Sequence, residues 1–281
     1  MQNNFNLLVV IVLYNQLLSD SKSYKSIINN INELNNISIL IYDNSFKRCI
    51  EYNFFIANGV KHTYEHNENN PGISVAYNFS HQFAVKHNFD WLLFLDQDTE
   101  LPNNSLNVYL NSIAKFPNIN LFAPIVKVKN GLIISPYREK FKVGYGLKSP
   151  IYGELDIRMY GLINSGIMVS TLAFSKAGGY NELVRLDFSD LQFLSRFRRC
   201  YKKFSCIDLC LLQDLSSFET DIEKLLIRFK YFCRDAYNFE SSGILDRFAI
   251  IFIFLKHTLA LSIKNKSFKF ILNAYSYYYD L

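Results

Sequence analysis

Asp96 and Asp98 stand two residues apart at the end of an uninterrupted apolar run, Trp91-Leu-Leu-Phe-Leu95. Such a run reads as a strand buried on both faces, as in a parallel sheet. Open α/β sheets bind ligands at the carboxyl ends of their strands, which is where both acids fall. Two carboxylates held close repel each other and resist desolvation. A divalent cation relieves both costs, and oxygen donors suit Mg²⁺ or Mn²⁺, ions that such sites share with a substrate phosphate. The same residues also fit an acidic strand-to-loop turn without chemistry, so the surrounding elements decide.

Those elements alternate. Leu7–Leu13 reads as a first buried strand, and Asp20–Leu34 as a helix with Ile27, Ile28, Ile31 and Leu34 on one face. Ile37–Tyr42 is a second strand ending at Asp43-Asn-Ser, and Val60–Tyr64 a weaker third. Ile73–His87 puts Val75, Ala76, Phe79, Phe83 and Ala84 along one helical face ahead of the strand Trp91–Leu95. Strands alternating with helices predict βαβ units, a mainly parallel sheet and right-handed crossovers.

Beyond Asp98 the pattern changes. Leu121–Val128 and Gly131–Ile134 read as two strands around a Lys-Asn-Gly turn. Ser135–Asp156, with Arg138, Lys140, Lys142 and Lys148 plus Gly144 and Gly146, reads as a mobile loop, either a lid or a solvated surface. A short strand at Gly166–Ser170, a helix at Ser189–Tyr201 and a last strand at Phe204–Leu212 follow. Three helices, Asp221–Tyr237, Leu245–Ile263 and Phe268–Tyr279, end the chain.

Composition bounds the classes. The 281 residues are 49% hydrophobic and 20% charged, which is globular rather than disordered. A net charge of +5 is too mild to point to nucleic acid. Five cysteines form no Cys-x-x-Cys pair, so the sequence predicts buried free thiols in a reducing compartment and no zinc site. No basic leader precedes Leu7–Leu13, and Phe248–Leu255 falls short of the roughly 20 residues that span a bilayer. A cytoplasmic protein is expected. Phe248, Phe252 and Phe254, with Lys256, Lys264, Lys266 and Lys269, suit contact with a membrane surface.

The order of the remaining features is more specific than any one of them. Asp43 ends the second strand, and Asn70-Pro-Gly-Ile-Ser-Val-Ala-Tyr-Asn78 opens a helix. Asp96-Gln-Asp98, Asn164-Ser-Gly166, Gly178-Gly-Tyr-Asn-Glu182, Leu186-Asp-Phe-Ser-Asp190 and Arg196 come after. This series resembles the family 2 glycosyltransferases, in particular the rhamnosyltransferase-like members that build bacterial surface polysaccharides. The resemblance covers roughly residues 5–240. Arg228-Phe-Lys-Tyr-Phe-Cys-Arg-Asp235 looks like the family's Arg-x-Tyr-Tyr-x-x-Arg-Asn segment.

The resemblance implies the GT-A fold, an α/β Rossmann-like nucleotide-diphospho-sugar transferase domain over residues 1–217 with a helical extension over 218–281. It places Tyr14 and Asn15 beside the base, Asp43 on base or ribose, and Asn70, Gly72 and Asn78 around the donor, where Gly72 lets backbone approach an anion at a helix start. Asp96 and Gln97 fall on the donor side, and Asp98 with Asp96 on Mg²⁺ or Mn²⁺. Asp190 matches the general base, with Asp187 and Arg196 on the acceptor side. The implied reaction is inverting transfer of rhamnose or another hexose from a dTDP- or UDP-sugar to a lipid-linked glycan.

Three positions depart from the family pattern: Ser189 where a Glu is usual, Ser80 where a glycine is usual, and Gln213 where a metal-binding His often stands. Ser189 and Gln213 keep open a non-catalytic protein that binds nucleotide sugars. A haloacid-dehalogenase-type phosphatase also has Asp-x-Asp after a buried strand, but wants Thr or Val where Glu100 stands. Taken alone, Asp190 also fits a surface acid favoured by a helix dipole.

Overall fold

Apolar residues at every position of Leu7–Leu13 (β1) leave the strand no wet face, and all seven residues are buried. The computed structural model describes residues 5–30, 36–50, 61–214 and 221–279. After β1 come α1 (Lys22–Asn30), β2 (Ile37–Asp43), β3 (Lys61–His66), α2 (Ile73–Lys86), β4 (Trp91–Asp96), β5 (Thr99–Glu100), α3 (Ser105–Lys115), β6 (Leu121–Lys127) and β7 (Ile133–Ser135). Then follow β8 (Tyr137–Lys140), β9 (Val143–Tyr145), β10 (Gly153–Asp156), β11 (Tyr160–Gly161), β12 (Met168–Ser170), α4 (Thr171–Ala177), α5 (Ser189–Cys200) and β13 (Lys203–Gln213). The chain closes with α6 (Ile222–Asn238), α7 (Ile244–Lys264) and α8 (Lys269–Tyr279). The end of the expected first helix, Val60 of the expected third strand and the expected boundary at 217/218 lie outside the described residues.

The main sheet runs β10-β13-β6-β12-β4-β1-β2-β3. β4, β1, β2 and β3 are mutually parallel. β12 is antiparallel to both β4 and β6, while β13 runs parallel to β6. The register sets Leu13 beside Asp43 and Val12 beside Asp96, so the ends of β1, β2 and β4 share one sheet edge. β13 delivers Gln213 to the same edge, opposite Thr99 of β5.

Alternate residues sort onto two layers. Leu8, Val10, Val12, Leu92 and Phe94 pack against α2, α4 and α5 through Tyr77, Phe174 and Phe193. Leu7, Val9, Ile11, Leu93 and Leu95 pack against α1 and α3 through Ile27, Leu106 and Tyr109. A third core joins α6, α7 and α8 around Phe229, Phe254, Phe270 and Tyr278, and takes in Leu191 of α5.

Three expectations are corrected. Ser135–Asp156 is not a plain loop, because β8 pairs with β9 and β11 in a small antiparallel sheet. Its tip, Phe141-Lys142, has positive φ at both residues, and Lys142 Nζ reaches back to Ser195 Oγ of α5 at 2.8 Å. Cys206 and Cys233 are buried free thiols, but Cys200 and Cys210 are exposed. Phe254 faces the third core rather than solvent, unlike Phe248 and Phe252. No helix among the described residues is long and apolar enough to cross a membrane.

Candidate active site

The acid pair sits where β4 leaves the sheet. Ser165 Oγ accepts the Asp96 N–H at 2.9 Å and lies 2.6 Å from Thr99 Oγ1, which fixes the strand end. The start of α1 backs the turn: Ser23 Oγ donates to the Asp96 carbonyl, and the Gln97 carbonyl accepts from Lys22 N and Ser21 Oγ, each at 3.0 Å. The Gln97 side chain faces the other way. Its Oε1 accepts the Tyr14 N–H at 2.8 Å and its Nε2 donates to the Tyr14 carbonyl at 3.2 Å. Gln97 therefore ties the loop after β1 to the acid turn, with the Tyr14 side chain exposed.

Burial pushes the Asp96 carboxyl up to about 7, and the charge of Asp98 adds to the shift. Burial also raises Asp98, where the charge of Lys22 works in the opposite direction. Gln213 Nε2 donates to Asp96 Oδ2 at 2.9 Å, while Gln213 Oε1 is buried without a partner. Among the described residues, no cluster of three or more His, Cys, Asp or Glu side chains is arranged for an ion. The donor set is instead two carboxylates and one amide, which can offer either its N–H or its carbonyl. Two strained carboxylates beside an orphaned carbonyl oxygen fit a hard cation such as Mg²⁺ or Mn²⁺.

The loops after β1, β2 and β3 are built on backbone geometry. Asn15 and Asn70 adopt left-handed φ values of 50° and 44°. The Asn15 N–H donates to Ser45 Oγ at 2.7 Å. Gly72, at φ 99°, opens α2, and no side chain caps the helix end. A Cβ on Gly72 would lie 2.5 Å from the Arg185 carbonyl oxygen, so no other residue fits here. Asp43 is fully buried and organises the loop after β2. Its carboxylate accepts from Ser45 N at 2.9 Å, Cys49 N at 2.8 Å and the Tyr64 hydroxyl.

Asn78 and Arg196 have structural partners throughout. The Asn78 amide donates to the Tyr180 carbonyl at 3.0 Å and to Glu182 at 2.9 Å, and accepts the Tyr180 N–H at 2.9 Å. The Arg196 guanidinium holds Glu240 and the carbonyls of Gly178 and Gly179. Both side chains brace the Gly178–Glu182 turn rather than project from it.

Asp190 occupies the first turn of α5 and accepts the Leu191 N–H at 2.7 Å. Burial pushes it up to about 6, against that N–H and with help from the charge of Asp187. Asp190 and Asp96 feel each other's charge, and buried Tyr77 lies within the field of both. The two acids therefore lie close enough for their charges to interact. Asp187 is also raised by burial; Arg228 is 3.6 Å from one oxygen, and the other has no partner.

Sequence reasoning missed Ser165 as the support of Asp96, although Asn164-Ser-Gly166 stood out as a segment. It also missed Glu139 of β8, which forms a buried pair with Arg198 of α5, both bonds 2.7 Å. That pair anchors the small sheet beside the Asp190 helix.

A sheet whose parallel half carries an acid turn at its carboxyl edge, with a glycine-opened helix beside it and a mixed second half, is the GT-A arrangement. Solved structures with this arrangement include S. aureus TarS, with 13% identity over 93% of this chain and a TM-score of 0.52. TarS residues 1–349 in complex with UDP-GlcNAc align with 12% identity over 93% of this chain and 74% of that chain, with a TM-score of 0.54. The chain spans 45% of the longer TarS chain. At such identity the likeness is one of fold. No protein-family model and no curated protein matches the sequence.

Proposed function

We propose that this protein is an inverting, metal-dependent glycosyltransferase that moves a hexose from a nucleotide sugar to a lipid-linked bacterial surface glycan. The observation that carries the reading is the acid turn Asp96-Gln-Asp98 at the carboxyl edge of the sheet, joined there by Gln213 and with buried Asp190 near enough to act on Asp96. Pairs of titratable groups with different environments mark divided catalytic roles. The fold supports a nucleotide sugar as donor, and the TarS complex with UDP-GlcNAc favours a uridine donor over a dTDP-sugar. The sugar itself, rhamnose or another hexose, rests on the sequence resemblance alone.

Asp98 and Asp96, with the Gln213 amide beside them, would hold Mg²⁺ or Mn²⁺, which would offset charge on the departing diphosphate. Gln97 fixes the loop carrying Tyr14 and Asn15, while the start of α2 at Gly72 is closed by the Arg185 carbonyl, which accepts the Ile73 N–H, so Gly72 serves the packing of the two loops rather than an open anion site. Asp190 takes the proton from an acceptor hydroxyl as that oxygen attacks the anomeric carbon and the nucleoside diphosphate leaves from the opposite side. A single displacement of this kind inverts the centre.

A peripheral site at the membrane follows from the acceptor. The side of α7 opposite its core presents Phe248, Phe252, Leu255 and Leu259 to solvent, and that of α8 presents Leu272 and Tyr275. Residues 247–279 contain Arg247 and four lysines but no Asp or Glu. Apolar stripes interspersed with basic residues suit an anionic lipid surface better than a second copy carrying the same charge.

The test is a donor screen with purified protein, Mn²⁺ and UDP-, dTDP- and GDP-sugars, read as nucleoside diphosphate release. Turnover of one donor, lost on chelation with EDTA, supports the reading. Donor binding with no release of diphosphate from any sugar, with or without glycan acceptors, would favour the non-catalytic alternative.

A further inference from the structure

Asp235 is a fully buried carboxylate on α6, outside the residues that line the acid cleft. Its Oδ1 accepts the Arg185 N–H at 2.8 Å and its Oδ2 accepts the Leu186 N–H at 2.9 Å. The Asp187 N–H is a third donor to the same group. A carboxylate with N–H donors converging on it fixes a loop more firmly than any neutral side chain of that size.

The loop it holds has two ends with different jobs. On the donor side, the Arg185 carbonyl accepts the Ile73 N–H at 2.8 Å, and the Arg185 guanidinium donates to the Asn70 carbonyl. Ser74 Oγ donates to the Val184 carbonyl, and Gly72 lies directly against Arg185. Arg185 is also stacked on Tyr231 of α6, 4.8 Å from the ring centroid. On the other side, the loop runs through Phe188, in a left-handed conformation at φ 64°, into the first turn of α5 and Asp190. There Ser189 Oγ donates to the Leu186 carbonyl at 2.9 Å and accepts from Asn164, and Phe188 packs on Phe232 and Phe239 of the extension.

We propose that Asp235 is a positioning residue that sets Asp190 relative to the donor loop, making α6 a working part of the transferase site. The inference rests on the transferase reading above. Five contacts keep the Arg185 end in place without Asp235, whereas Asp235 holds the Leu186 amide on the stretch that runs on to Asp190. Loss of the carboxylate should therefore shift the base and leave the donor loop where it is.

Asp235→Asn puts an amide N–H against backbone N–H groups that now meet an oxygen. The expected result is a fall in kcat on the order of 10²-fold, the penalty for a displacement of about 1 Å at a reacting group. UDP affinity, measured by direct titration, and donor KM should each stay within about twofold of the parent value. Hydrogen–deuterium exchange should quicken at Arg185, Leu186 and Asp187. Asp235→Glu, which keeps the charge but changes its reach, should give a smaller fall in kcat with the same split and serves if Asp235→Asn does not fold. Equal losses in kcat and UDP affinity, or unchanged kcat with faster exchange, overturn the proposal. If the parent protein turns over no donor, the transferase reading has failed. Exchange at 185–187 that is no faster in either variant then also removes the anchoring role.

Discussion

The strongest single test concerns Asp190. Burial lifts its carboxyl from the ordinary value of 3.8 to about 6. A general base works ionised, so activity must fall as pH drops through about 6. One unit below, about a tenth of the groups are ionised and kcat should be about a tenth of its plateau. An ordinary aspartate would keep the rate nearly flat down to about pH 5. The assay is initial-rate release of nucleoside diphosphate at saturating donor and Mn²⁺ from pH 4.5 to 8. Asp190→Asn should lower kcat by about 10²–10⁴-fold at pH 7.5, with donor KM little changed, because the base touches the acceptor. Stability runs the other way. A raised carboxylate pKa means that the native state holds a proton which the unfolded chain releases, so this contribution is full below 3.8 and is lost as pH rises through about 6. Asp190→Asn should thus be at least as heat-stable as the parent at pH 7.5. A kcat flat from pH 5 to 8, or a variant within tenfold of the parent rate, would refute the assignment. Activity lost in Asp187→Asn and kept in Asp190→Asn would swap the two roles.

Asp98→Asn should abolish Mn²⁺-dependent turnover while leaving the thermal transition in place, and retained turnover would remove Asp98 from the metal site. Glu139→Ala leaves Arg198 charged and buried; with side-chain exposures of 6% and 13% in the pair, urea unfolding should report a loss of about 3–5 kcal/mol. Gly72→Ala forces a Cβ to 2.5 Å from the Arg185 carbonyl at φ 99°, so it should cost about 2 kcal/mol and weaken UDP binding; a neutral result would contradict the close packing of the two loops. Vesicles rich in phosphatidylserine should co-sediment the protein, neutral phosphatidylcholine vesicles should not, and Phe248→Asp with Phe252→Asp should release it; binding indifferent to these changes would count against lipid contact.

The acid pair was legible because β4 is apolar along its whole length, so its end could be located to the residue. The helix–strand alternation of the first half was legible for the same reason. The β8–β9 hairpin was not. Its inward position Glu139 is charged, and its partner Arg198 lies 59 residues away, so the expected alternation of apolar and polar residues is broken by a tertiary pair. α3 did carry a signal, with Leu106, Tyr109 and Ile113 at helical spacing. Asn78 and Arg196 mark the other limit. Residue type and order identified both, yet which way each side chain points depends on the Gly178–Glu182 turn, and no local pattern predicts that.

The same limit governs the division of the chain. Composition favours a boundary near 217/218, since helices replace the alternating pattern there. Hydrogen bonds cross the division at the segment that carries Asp190. Asn181 Nδ2 donates to the Asn238 carbonyl at 3.0 Å, Arg196 pairs with Glu240, and Asp235 gathers the amides that precede Asp190. Leu191, one residue after Asp190, is buried in the core of the extension rather than that of the sheet. A helix whose first turn is packed by one unit and whose remaining turns are packed by another cannot move with either alone. The extension therefore shares a packed core with the helix that carries Asp190, and the exposed apolar sides of α7 and α8 belong to that same unit.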